Sequence, residues 1–382
     1  MKKRKVIVAL ILFALCLSLV APAGASDRVI KQLDAVYRGI RIIIDGEEFT
    51  PTNVNGKIVE PFLVGGTTYV PLRAIGEAFG KDVEWVGESS LIFIDSPRET
   101  WVKPDYVNAP PAPSKNVTVS TPQEFADAIG PNTCITLNAG VYDLSTVTAT
   151  KSEYVFFGDE TGELIIAYVD GLTIQPAPGA IVELVTPDRF STVIVFMYCN
   201  GIKMSGIRAG HTVTGEYECD AGVVLIMDSA NIKIEDCLFY GSGSYGLWLR
   251  LCVSAQIVNT TVTDCSLRAV DLFYSNDVTF TGCKFIDNRA YGSVIWGNNT
   301  TARFIDCEIS GNKELLWNAV EINDDVLFER CVFKNNAISQ GAAAVFAGYG
   351  IRLRDCEIEK AGFSGYWSSD AGVINLGGNK LN

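Results

Sequence analysis

Apolar residues recur along the C-terminal two-thirds of the chain in columns. The clearest runs through Ile207, Cys237, Thr260, Cys283, Cys307, Cys331 and Cys356, at steps of 30, 23, 23, 24, 24 and 25 residues. Three positions earlier stand Met204, Ile234, Ile257, Phe280, Phe304, Phe328 and Leu353. Two positions later stand Ala209, Phe239, Val262, Phe285, Ile309, Phe333 and Ile358. Short apolar strands repeating at this length predict a solenoid with one coil per repeat. At the bend just before the first column lie Gly206, Asp236, Asn259, Gly282, Asp306, Arg330 and Asp355, mostly residue types that tolerate a left-handed backbone. Asn288, Asn312 and Asn336 hold the next turn, where stacked amides can bond to one another and to the backbone.

Each coil therefore has three strands. The third carries an inward column read as Leu247, Val270, Val294, Val320, Val345 and Val373, alternating with Leu249, Leu272, Trp296 and Ile322. The residues between must face outward. One outward row is Leu225, Trp248, Asp271, Ile295, Glu321, Phe346 and Ile374; the next is Met227, Arg250, Phe273, Gly297, Asn323 and Gly348.

The pattern is mainly β: a right-handed parallel β-helix over residues 117–382. Strings such as Cys283-Lys284-Phe285-Ile286-Asp287-Asn288 resemble the pectate-lyase-like superfamily. That resemblance implies a fold shared by polysaccharide lyases, glycoside hydrolases, epimerases and non-enzymatic surface proteins, and so does not name an activity. Thr121, Pro122 and Glu124 form a capping box, which predicts a helix over about 122–129 covering the open end of the coils.

Residues 26–95 form a small α+β unit. Strands are expected at 41–44 and 67–70, then a helix opened by Pro71 and stopped by Gly80, then strands around Val83 and Ile92. Thr67-Thr68-Tyr69-Val70-Pro71-Leu72-Arg73 and Val83-Glu84-Trp85 resemble the stalk domain named after the N-terminal domain of copper amine oxidases, over about 38–95. The resemblance implies a module of secreted bacterial proteins. It does not imply copper, because the segment holds neither His nor Cys. Five prolines in 96–116 mark a semi-rigid linker.

Composition narrows the setting. Lys2, Lys3, Arg4 and Lys5, the apolar run to Val20 and Ala23-Gly24-Ala25 predict a secretory signal over 1–25. The net charge of the whole chain is −13; without that segment, which holds four cations and no anion, it is −17. Such a chain suits a secreted or cell-surface protein and is a poor partner for nucleic acid or anionic membranes. Ten of the 11 cysteines lie beyond the signal. Five of them, Cys237, Cys283, Cys307, Cys331 and Cys356, share the inward column, which suggests reduced core thiols, although a bond between neighbouring coils is compatible with strand spacing.

Candidate chemistry gathers on the third strands. Trp248 and Phe273 offer ring faces for sugars, and Asn323 a hydrogen-bonding amide. Tyr245, Tyr291 and Trp317 lie on turns that rim the same face. The partner this predicts is a polysaccharide or cell-wall glycan; the alternative is a mixed surface on a non-catalytic rigid spacer. For cleavage, Asp271, Arg250 and Glu321 are the candidates. Asp271 and Glu321 stand two coils apart, about 9–10 Å, near the separation of about 6.5–9.5 Å in inverting hydrolases. Arg250 beside Asp271 fits a lyase base. Ca²⁺ is the one candidate cofactor, with Asp324 and Asp325 as ligands. His211 is the only histidine and lacks a clear partner set.

Overall fold

The computed structural model describes residues 34–44, 46–53, 56–86, 91–95, 110–158, 161–188, 190–213, 221–316, 318–338, 344–360, 362–368 and 371–382. The signal segment, most of the Pro-rich linker, Cys219 and Trp317 lie outside them. The chain divides between residues 100 and 101 into two compact units.

The first unit is built from antiparallel hairpins: Ile42–Ile44 with Glu47–Phe49, Phe62–Val64 with Thr67–Tyr69, and Asp82–Val86 with Leu91–Asp95. The helix Leu72–Ala78 follows Pro71, whose fixed φ suits a helix start. Gly80 lies at a φ of +68°, which lets the chain leave the helix.

The second unit is a parallel β-solenoid. It opens with a strand, Lys115–Val119, which pairs with Thr133–Leu137. The solenoid thus begins two residues before the boundary at 117. Between these strands lies the helix Pro122–Ala128, with Phe125, Ala126 and Ala128 buried. Thr121 accepts from the Glu124 N–H at 3.1 Å, and the Glu124 carboxylate accepts from the Ser120 N–H at 2.7 Å. The capping box is present, shifted by one residue on its return bond.

The bend of every regular coil is left-handed, with φ of 53° at Asp236, 48° at Asn259, 54° at Asp306 and 53° at Arg330 and Asp355. At Arg330, a residue type that seldom adopts this backbone, the side chain forks onto Asp306 of the preceding coil at 2.7 and 3.0 Å. Inside, Phe280, Phe304 and Phe328 stack at centroid distances of 4.5 and 4.7 Å.

Side chains seal all three corners with hydrogen bonds. Asn288 donates to Asn312 at 2.9 Å, and Asn312 to Asn336 at 2.8 Å. The thiol column is buried, and its cysteines are free. They are more than small apolar fillers: Cys283 Sγ donates toward the Ile257 carbonyl at 3.3 Å, and Cys331 Sγ toward that of Phe304 at 3.3 Å. The third corner repeats the device with Cys199, Ser229, Cys252, Ser275 and Thr300. There Cys252 Sγ reaches the Ile226 carbonyl at 3.2 Å, and burial pushes its thiol up to about 12, so it stays a protonated donor.

On the third strands the register differs from the expectation. Val270 pairs with Ile295, not Val294, and Val320 pairs with Phe346, not Val345. Ile295 and Phe346 are inward and 0% exposed. Trp296 and Gly297 change places accordingly: Trp296 stands in the outward row and Gly297 in the inward one. The true rows are Leu225, Trp248, Asp271, Trp296, Glu321, Ala347 and Met227, Arg250, Phe273, Asn298, Asn323, Tyr349. The physical reason is packing. Ile295 fills the core beside Val270, and a Cβ at Gly297 would only just meet Ile322 at 3.4 Å. A Trp inward at 296 would have no room there.

Candidate functional site

Three adjacent third strands, Tyr245–Arg250, Arg268–Phe273 and Ile295–Asn298, carry most of the site. Parallel pairing brings Trp248, Asp271, Trp296 and Glu321 into one row, one residue per strand.

Asp271 lies under its neighbours, at 3% exposure. Its carboxylate takes a close hydrogen bond from Nη1 of Arg268. Burial nonetheless pushes its pKa up to about 6, against the pull of Arg268 in the other direction. The Arg268 guanidinium lies 4.6 Å from the Trp296 ring centroid and 5.9 Å from that of Tyr245. Tyr245 in turn tilts against Trp248 at 4.9 Å. Phe273 stacks on Trp296 at 6.4 Å with 13° between planes and meets Tyr274 edge-on at 4.6 Å. Arg250 lies 5.8 Å from the Phe273 centroid. Glu321 accepts from the buried Ser293 hydroxyl at 3.2 Å.

The structure thus brings together Trp248, Arg250, Asp271, Phe273, Tyr245 and Glu321, and Asn323 continues the second row beside Asn298. Tyr291 turns toward Glu314, to which its hydroxyl donates at 3.1 Å. Trp317 falls outside the described residues. Between Asp271 and Glu321 stands Trp296, so an indole separates the two carboxylates.

Asp324 and Asp325 sit where the strand register shifts between Asn323 and Val326. Asp325 pairs with Arg352 at 2.6 Å. Among the described residues no group of three His, Cys, Asp or Glu side chains could hold a metal. The Asp325 carboxylate is thus already neutralised by a guanidinium. His211 is buried, with Nε2 3.0 Å from the Ser191 carbonyl, and burial lowers its pKa. It lies away from the aromatic rows, on a second strand, where it pairs with Thr186.

Sequence reasoning passed over Arg268 and Trp296, the two residues at the centre. A signal existed for Trp296: Trp-Gly at 296–297 breaks an inward column otherwise held by branched aliphatics, and only the Gly fits inside. Arg268 had no such mark, since it lies on the turn side of its strand.

Three of the solved structures to which the chain is similar match it at low identity. ORF18 of Geobacillus virus E2 is 12% identical, with a TM-score of 0.44, covering 79% of this chain and 67% of that one. An alginate lyase from Paenibacillus sp. str. FPU-7 is 10% identical with a TM-score of 0.35, covering 70% and 99%. The GH136 lacto-N-biosidase from Eubacterium ramulus is 7% identical with a TM-score of 0.31, covering 70% and 67%. No curated protein matches the sequence. Among the described residues no helix is long and apolar enough to cross a membrane. Residues 40–99 match the model of the copper amine oxidase N-terminal domain, and residues 221–381 match that of the right handed beta helix region.

Proposed function

We propose that the face of the third strands binds a glycan, and that the protein acts outside the cell, directed there by residues 1–25. One observation carries this reading. Trp248, Phe273 and Trp296 stand on three in-register strands, half-buried, with Arg250, Arg268 and Glu321 among them. Ring faces stack on the apolar faces of sugars, and charged groups at their edges bond hydroxyls or carboxylates. Successive strands lie about 4.8 Å apart, close to the length of one pyranose, so an extended chain running along the solenoid meets one side chain per residue. A rigid spacer needs no such cluster.

The test is affinity of the full chain for a panel of neutral and acidic polysaccharides, read by tryptophan fluorescence. Trp248→Ala and Trp296→Ala should each weaken binding about ten-fold, about 1.4 kcal/mol, while circular dichroism shows the fold intact. No binding by the unaltered protein across the panel would overturn the proposal in favour of the spacer. New reducing ends or unsaturated-product absorbance would extend it to cleavage, with Asp271, Arg250 and Glu321 as the residues to substitute.

A further inference from the structure

Arg268 is unusual among the cations of the solenoid. Its side chain is 14% exposed, its carboxylate partner is 4% exposed, and its guanidinium is covered on its faces by Trp296 and Tyr245. One edge of the guanidinium is taken by Asp271 through Nη1. Its Nε is buried and has no hydrogen-bond partner. Next to Nε lies Gly292, which is buried. A Cβ there would stand 3.5 Å from Nε and 3.2 Å from the Leu267 carbonyl oxygen, so a side chain at this position would crowd that nitrogen. Guanidinium groups take carboxylates in a planar fork, two N–H bonds to two oxygens. A buried donor without an acceptor costs about 1–3 kcal/mol, so an incoming oxygen acceptor at this edge relieves a cost that the unbound protein carries.

Asp271 is poorly suited to hold this arginine for good. Burial works against its charge, and the groups facing it are Arg268, the neutral Trp248 and Trp296 on the two flanking strands, and the hydroxyl of Tyr245, whose own pKa burial also raises. The next carboxylate, Glu321, is one strand further on and is bonded to Ser293. The next cation, Arg250, belongs to the second row and lies over Phe273.

We propose that Arg268 is a carboxylate-binding site for an acidic sugar, masked in the unbound protein by Asp271, which occupies the guanidinium as an internal stand-in for the ligand's carboxylate. This rests on the glycan-binding reading and names its substrate class: a glycan bearing uronate or a similar sugar carboxylate. The flanking Trp296 stacks on the same sugar ring whose carboxylate Arg268 takes. Protonating Asp271 removes the competitor. A sugar carboxylate keeps its charge in the range where Asp271 loses it, so mild acid unmasks the site. The acidic chain opposes the approach of an anionic polymer, but that repulsion is screened beyond about 8 Å at physiological salt, whereas the contact at Arg268 is made by a side chain only 14% exposed.

The experiment uses the full chain, a uronate oligosaccharide, and the same oligosaccharide with its carboxyls reduced to alcohols, at pH 5 and 7.5 in 0.15 M salt. The unaltered protein should bind the acidic oligosaccharide about ten-fold more tightly at pH 5, with no such gain for the reduced one. Asp271→Asn should bind the acidic form tightly at both pH values. Arg268→Gln should bind it weakly at both, and so should Arg268→Lys, which keeps the charge and loses the fork, with circular dichroism showing that both variants keep the parent fold. The proposal is overturned if Asp271→Asn gains nothing at pH 7.5, or if both Arg268 variants retain the affinity of the parent. Binding of the reduced oligosaccharide alone would overturn the proposal and leave the glycan-binding reading standing; binding of neither would overturn both.

Discussion

The second and third strands of each coil obey the same geometry, yet one column is regular and the other slips. Second strands advance by 23, 23, 24, 24 and 25 residues from Leu238 to Thr261, Lys284, Glu308, Val332 and Glu357. Third strands advance by 23, 25, 25 and 26 from Leu247 to Val270, Ile295, Val320 and Phe346. The difference lies in what joins them. First and second strands are separated by a single left-handed residue and a corner side chain bonded to backbone, so the spacing has no freedom. Beyond its asparagine, the turn from second to third strand is longer in the later coils, and packing sets where the next strand starts. Regular corners build the rod, and the elastic turns free one face to carry different side chains.

The sharpest way to break this comparison is at the slipped register. Ile295→Asp should cost more than about 4 kcal/mol, because it buries a charge in the core without a partner. Trp296→Gln should cost about 1 kcal/mol, because it is outward. Urea unfolding midpoints of the two variants check this, and the reverse order would restore the unslipped register.

Asp271 gives the next effect. Folded, it keeps its proton to about pH 6; unfolded, it loses it near pH 4. Between these values the folded state holds the extra proton, so stability falls as pH rises. Relative to Asp271→Asn, the parent should lose about 3 kcal/mol between pH 4 and pH 7, from a shift of about two units. Equal slopes for the two proteins would mean that Asp271 titrates normally.

The corner ladders provide the smallest contrast. Asn312 accepts from the Asn288 N–H at 3.0 Å and donates to the Phe285 carbonyl at 2.9 Å. Asn312→Ala leaves both unpaired and should cost about 3 kcal/mol. Cys307→Ser should cost about 1 kcal/mol or less, since a hydroxyl can donate to the Phe280 carbonyl as the thiol does, and Thr260 already serves in the same column. Thermal unfolding of the two variants would sharpen the view that these corners are held by hydrogen bonds rather than by volume alone.

Much of this molecule is written in its periodicity. The solenoid, the left-handed bends, the stacked asparagines, the buried free thiols and the capping helix follow from local rules repeated every coil, because stacked strands must present the same residue type at the same point. Trp248, Asp271, Phe273 and Arg250 could be placed on one face for the same reason. The position of Trp296 was settled by shape, since Ile295 and Gly297 fit the core and an indole does not. The pairing of Arg268 with Asp271, and the burial that holds a proton on that carboxyl, arise only when three strands and a turn meet around them. A sequence records which side chains each strand can present; how far water is excluded from a carboxylate, and which cation reaches it, depends on atoms brought together from separate coils.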